Sequence, residues 1–180
     1  MPMIEVTTTK GAFDEETKER LAADLSTIAL ELEAAPYVDF GDAAHMQALA
    51  WCFINEQQVY VGGQVLEKPT YRVVVTIPDG APGLFGPLAE RSRAKLVERV
   101  TSAVLTAEGS PSTLVEAHRV WVQLRSIPNG QWGAFGEVVT LPDLAAYGMN
   151  RGEPGGRIDR MRRAALESVG AERPSEPIVG

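Results

Sequence analysis

With 180 residues, 44% of them hydrophobic, the chain is long enough to bury a core within one domain, and general disorder is excluded. Against 17 basic residues stand 24 acidic ones, for a net charge of −7, and no Lys/Arg cluster interleaves with aromatics, which argues against a nucleic-acid surface. The single cysteine, Cys52, rules out an intrachain disulfide framework, and with only His45 and His118 it leaves no recognisable zinc or iron spacing.

The chain opens MPMIEVTTTKG. Glu5 and Lys10 interrupt any apolar leader, and no run reaches membrane-spanning length, so the expectation is a soluble, cytoplasmic protein with no membrane partner. Residues 3–9 alternate Ile4, Val6 and Thr8 against Met3, Glu5 and Thr7, the period of a half-buried strand. Asp14 can cap a helix with Glu15 and Glu16 in its first turn and Leu21, Leu25, Ile28 and Leu32 on one side, stopping before Pro36. ALAWCFI then reads as a buried strand, and QQVYVGGQ as a short hairpin ended by Gly62 and Gly63.

The same order begins again at YRVVVTI, residues 71–77. A loop through Pro78, Asp79 and Gly80 leads to a helix carrying Leu96, Val97, Val100 and Val104, and HRVWVQL is the next strand. After Pro128, Asn129 and Gly130 comes a glycine-interrupted extension. Helices of crossover length predict a parallel strand pair within each half, and two halves side by side give an α/β fold: one four-stranded sheet with both helices on one face. Residues 1–147 read as one domain, with units at about 2–66 and 70–144, and residues 148–180 as an extension containing a short basic helix, RIDRMRRAALESV.

Pro2 at the head of a strand, a βαβ unit ending in VYVGGQ, and a second ending in WVQLRSIPNGQWGAFGEVV together resemble the tautomerase superfamily, in the form that fuses two 4-oxalocrotonate-tautomerase-like units. The resemblance covers roughly residues 2–144. It implies a homotrimer, no cofactor or metal, a small keto/enol substrate, and catalysis by an amino-terminal proline in an apolar pocket.

The chemistry of such a proline stands apart from the resemblance. An α-amine titrates near about 8 in water, and burial disfavours its charged form, so a sheltered Pro2 nitrogen freed by removal of Met1 can act as a base near neutrality. The competing reading is that proline, lacking an N–H, merely starts a strand. Trp132 and Phe135 can wall a site or fill a subunit interface. Arg72, Arg119 and Arg125 are candidate partners for a substrate carboxylate, though an arginine beside a strand is commonly just solvated. Asp39, in Pro36-Tyr37-Val38-Asp39, resembles the aspartate of malonate-semialdehyde-decarboxylase-like members, with Asp42 nearby as an alternative. The arginine pair of the dehalogenase and decarboxylase branches is missing: Pro78, Asp79 and Gly80 stand there. The arginine that follows the first strand in shorter tautomerases aligns with Ala12. Keto–enol tautomerisation is therefore favoured over dehalogenation or decarboxylation. The rival reading is a ferredoxin-like ligand-binding module, or a tautomerase fold with an inactive site; an antiparallel sheet would favour the ferredoxin-like form.

Overall fold

The computed structural model describes residues 2–34, 44–81, 84, 89–148 and 153–170. Strand β1, Met3–Thr9, buries every second residue, so Ile4, Val6 and Thr8 face inward. Helix α1, Glu15–Ala34, begins where Asp14 Oδ1 accepts the Thr17 N–H at 2.8 Å, the expected N-cap. That bond, with the Thr17 side chain, holds the Asp14 carboxyl below its ordinary range. After the short helix α2, Ala44–Gln47, comes strand β2, Trp51–Gln57.

The second half repeats the plan. Strand β3, Tyr71–Pro78, leads to helix α3, Ala89–Glu108, which stops at Gly109. Gly109 has φ of 80°, and the Ser110 N–H reaches back to the Leu105 carbonyl at 2.8 Å, closing the helix with a left-handed residue that glycine supplies without strain. A single turn, α4 (Leu114–Ala117), precedes strand β4, Val120–Ile127.

Among the described residues these strands form one sheet in the order β2-β1-β3-β4. β1 runs parallel to β2 and β3 parallel to β4, while β1 and β3 are antiparallel. The two parallel pairs are those expected of tandem βαβ units and exclude an antiparallel ferredoxin-like sheet. Cross-strand rows Ile4–Cys52–Val75–Leu124 and Val6–Ile54–Val73–Val122 make up the inner face. Leu21, Leu25, Ile28 and Leu32 of α1 and Leu96, Val100 and Val104 of α3 cover it, and the two helices touch each other. Each such fully buried aliphatic side chain stabilises the fold by about 1.5–3 kcal/mol relative to exposure. The opposite face carries Trp51, Phe53, Arg72, Trp121, Gln123 and Arg125, and no helix is packed over it among the described residues.

Beyond β4 the chain forms a hairpin, β5 (Trp132–Ala134) with β6 (Glu137–Val139), and two helices, α5 (Leu141–Gly148) and α6 (Arg157–Ser168). α6 is the basic helix expected from the sequence, whereas α5 is a finding of the structure. Val139, Tyr147, Met161 and Ala165 from these elements join Leu30, Met46 and Ala48 in a second buried cluster. Residues 132–168 thus fold back as a cap on the join between α1 and β2. No described helix is long and apolar enough to cross a membrane.

Candidate active site

Pro2 is buried, and its carbonyl accepts the Trp51 N–H at 3.3 Å, which carries the β1–β2 ladder one step beyond Met3. Because β1 and β3 are antiparallel, this end of the sheet also holds the end of β3, where Met3 faces Thr76, and the end of β4, where Thr76 faces Arg125. Arg125 is therefore two strand spacings from Met3, roughly 10 Å along the row, exposed on the open face.

The cap closes over the same end. Ala48, Leu49 and Ala50 pack into the second cluster and run directly into Trp51, the residue bonded to Pro2. On the other side, a Cβ added to Gly80 would lie 3.1 Å from Leu141 Cδ2, so α5 starts directly against the loop that follows β3. α5 is set by a reciprocal cap: Thr140 Oγ1 accepts from the Asp143 N–H at 3.4 Å while Asp143 Oδ2 accepts from the Thr140 N–H at 2.9 Å. Arg157 then ties the layers together, donating to Glu137 Oε2 at 2.6 Å, Asp143 Oδ1 at 2.8 Å and the Val138 carbonyl at 3.0 Å. The bonds from Thr140, with Arg157 behind them, keep the Asp143 carboxyl below the usual range.

Trp132 and Phe135 both belong to this capped end but differ in setting. Trp132 pairs with Val139 and is buried, whereas Phe135 sits at the hairpin tip, 42% exposed. Phe135 and Gly136 have φ of 56° and 77°, the combination found in a two-residue type I′ turn. A bulky residue in that left-handed region is strained, and such strain clusters at functional positions.

Within one chain the structure does not bring Arg72 or Arg119 to Pro2. Arg72 lies in the row Thr7–Arg72–Trp121 at the far end of the sheet and donates to Gln123 Oε1 at 3.0 Å. Arg119 is buried there, bonded to Glu108, Glu116 and the Pro69 carbonyl. Both line a cavity of about 510 Å³ walled by Tyr60, Leu66, Tyr71 and Trp121. Asp39 lies outside the described residues. Cys52 borders a smaller cavity of about 300 Å³ between α1 and β2, and burial pushes its thiol up to about 11, which leaves it inert near neutral pH.

Residues that sequence reasoning passed over are those of the cap, above all Tyr147 and Arg162. Arg162 has its guanidinium carbon 5.8 Å from the centre of the Tyr147 ring. Their signal was only the amphipathic spacing of Ile158, Met161 and Ala165, which marks a buried face but not its partner.

No protein-family model matches the sequence, and no curated protein matches it either. Among solved structures the chain is similar to N1, a member of the cis-3-chloroacrylic acid dehalogenase family, with a TM-score of 0.64 and 16% identity over 92% of this chain and 99% of that one. Native fused 4-OT aligns with a TM-score of 0.56 and 17% identity, over 76% of this chain and 94% of its own. A macrophage migration inhibitory factor-like protein from Entamoeba histolytica gives 0.56 and 12%, over 77% and 98%. At these identities the likeness is one of architecture, and it agrees with the element order and strand directions described above. The chain has the fold of the tautomerase superfamily.

Proposed function

We propose that the protein is an enzyme of the tautomerase kind that moves a proton on a small, carboxylated keto/enol substrate, with the Pro2 nitrogen as general base and acid. The observation that carries this reading is the burial of Pro2 at the head of β1, where its carbonyl accepts the Trp51 N–H. Removal of Met1 makes that nitrogen a secondary amine; with Met1 attached it is a tertiary amide without basicity. The amine takes a proton from the carbon next to the substrate carbonyl, the electron pair moves to the oxygen as the enolate, and the ammonium returns the proton to that oxygen. No electrons are gained or lost, so the reaction needs no redox cofactor. Burial disfavours the charged form of an amine, which suits a buried Pro2 nitrogen to take up and release a proton near neutral pH. The strained, half-exposed Phe135 at the hairpin tip supports a role in walling the site, with the buried Trp132 fixing the hairpin beneath it.

Two fused 4-OT proteins with this fold are described as asymmetric trimers. A homotrimer of this chain would give the open face of the sheet, with Trp51, Phe53 and Trp121, an apolar surface to meet. Intact-mass measurement tests the removal of Met1. Phenylpyruvate tautomerisation by the natural chain beside Pro2→Ala tests the base: loss of activity with unchanged assembly is expected, and equal rates reject the assignment.

A further inference from the structure

We infer that Arg157 is a positioning residue for the substrate: it fixes the β5–β6 hairpin and, through it, sets Phe135 against the apolar part of the keto acid. The inference rests on the reading of Phe135 as a wall of the Pro2 site. The hairpin needs such a hold. Its strands are three residues each and stand apart from the four-stranded sheet, and a two-stranded hairpin of that size is marginal alone. At its base Trp132 and Val139 pair and are both buried. Toward the tip Val138 and Phe135 are exposed, so burial does not fix that end.

Arg157 grips the hairpin there. Its Nε–H donates to Glu137 Oε2 at 2.6 Å and an Nη2–H to the Val138 carbonyl at 3.0 Å, and Glu137 is two residues from Phe135. An Nη1–H reaches Asp143 Oδ1 at 2.8 Å on α5, while Asp143 Oδ2 accepts the Thr140 N–H at 2.9 Å and the Thr140 hydroxyl at 2.7 Å. One rigid planar fork thus joins β6 to α5 by three bonds in fixed directions, which a flexible ammonium does not reproduce. The fork stands on the first turn of α6, a helix seated through buried Met161 and Ala165. Arg157 is itself partly exposed, where ion pairs add little to overall stability, so its effect falls on the pose of the hairpin.

The chain carries this hairpin to the end of the sheet where Pro2 lies. Continuing the β1–β3 register one step past Met3 and Thr76 sets Pro2 opposite Ile77, and Ile77 pairs with Ser126 of β4. β4 ends one residue later, and the Gln131 N–H closes back on the Pro128 carbonyl at 3.0 Å just before Trp132 begins β5. Phe135 is then held in a left-handed conformation that a bulky residue does not favour. An exposed ring kept in a strained pose, with a clamp two residues away, is placed to meet the flat apolar part of a ligand.

Calorimetric titration with phenylpyruvate tests this on the natural protein, Arg157→Met, Arg157→Lys, Phe135→Ala and the double variant of Arg157→Met with Phe135→Ala, each checked by circular dichroism and thermal melting. Arg157→Met and Phe135→Ala should each weaken binding by about 3- to 10-fold, the loss of one aromatic pair, and Arg157→Met should melt close to the natural protein. The double variant should bind no more weakly than the weaker single, since both changes remove the same contact, and Arg157→Lys should fall between Arg157→Met and the natural protein. Hydrogen exchange in Arg157→Met should quicken at residues 132–139 and stay unchanged in α1 and α3. Losses that multiply in the double variant, natural affinity in Arg157→Met, unchanged exchange in the hairpin, or absence of phenylpyruvate binding to the natural protein overturns the inference. Turnover of phenylpyruvate by Pro2→Ala at the natural rate would instead remove Pro2 as the base, and the titrations would still decide the role of Arg157.

Discussion

Arg119 Nη2 lies 2.6 Å from Glu108 Oε2, and the two side chains are only 3% and 11% exposed. The same nitrogen is 2.6 Å from Glu116 Oε2, and Nη1 donates to Glu108 Oε1 at 2.8 Å, so the guanidinium is held by two carboxylates. Glu108 raises the Arg119 pKa further above its ordinary value. Glu108 is itself kept below the carboxylate range: burial pushes it up, and the influences led by the bonds from Arg119 more than offset that. A cation engaged this fully at the C-terminal end of α3 fastens α3, α4 and β4 together.

Arg119→Met should therefore destabilise the fold by about 3–5 kcal/mol, because it leaves Glu108 buried without its counter-charge. Replacing both, as Arg119→Met with Glu108→Met, should cost less than the single change. Urea denaturation of the three proteins checks this order; a single variant as stable as the natural chain refutes the structural role.

Acid should weaken the fold through the same carboxylates. Glu108 and Asp143 both have folded-state pKa values below their unfolded ones, so their contribution is complete above the unfolded range of about 4 and is lost as pH falls through the folded values. Stability should be level from about pH 7 to 5 and decline below about pH 4. Glu108→Gln should be less stable than the natural chain at neutral pH, with the gap narrowing in acid; denaturation midpoints across this range measure it. A gap that stays constant would remove Glu108 from the explanation.

The repeated βαβ plan was legible because its signals are local. Ile4, Val6, Val73 and Val75 alternate with the period of a strand, Asp14 precedes its helix, and the helical stripes of α1 and α3 are regular. The cap was not legible, because its packing joins Tyr147 and Met161 to Leu30 and Met46, far away in sequence. Even so, Thr140-Leu141-Pro142-Asp143 carries a helix start in plain form, with a capping pair and a first-turn proline. The glycines around it masked that signal. Arg119 shows the opposite failure: adjacency to a strand suggested a solvated side chain, and only the fold could show that the end of α3 delivers Glu108 to it.

Phe135 sets stability against function. Its φ of 56° costs about 1–2 kcal/mol relative to a residue that accepts the left-handed region, and asparagine accepts it readily. Phe135→Asn should therefore raise stability by about 1 kcal/mol while lowering kcat/KM for an aromatic keto acid such as phenylpyruvate. Thermal melting and steady-state kinetics on one preparation check both signs. A variant that gains stability and keeps full activity would reduce Phe135 to a poorly chosen turn residue.

The open face of the sheet offers the sharpest test of assembly. Trp51 and Trp121 are 59% and 69% exposed in the single chain, and Trp51 meets Phe53 edge to face with ring centres 6.2 Å apart. Large exposed aromatic side chains at both edges of the one face that no described helix covers, with α1 and α3 packed on the opposite face, mark the surface that association would bury. Trp121→Glu places a charge at one edge strand and Phe53→Glu at the other, and neither touches the inner face that holds the fold together. If the protein forms the proposed trimer through this face, each should shift it toward monomer in sedimentation equilibrium while leaving far-ultraviolet circular dichroism unchanged, since burying an unpaired carboxylate at the contact costs more than one interface position returns. If both variants sediment with the natural protein, association uses another surface and the open face stays in solvent.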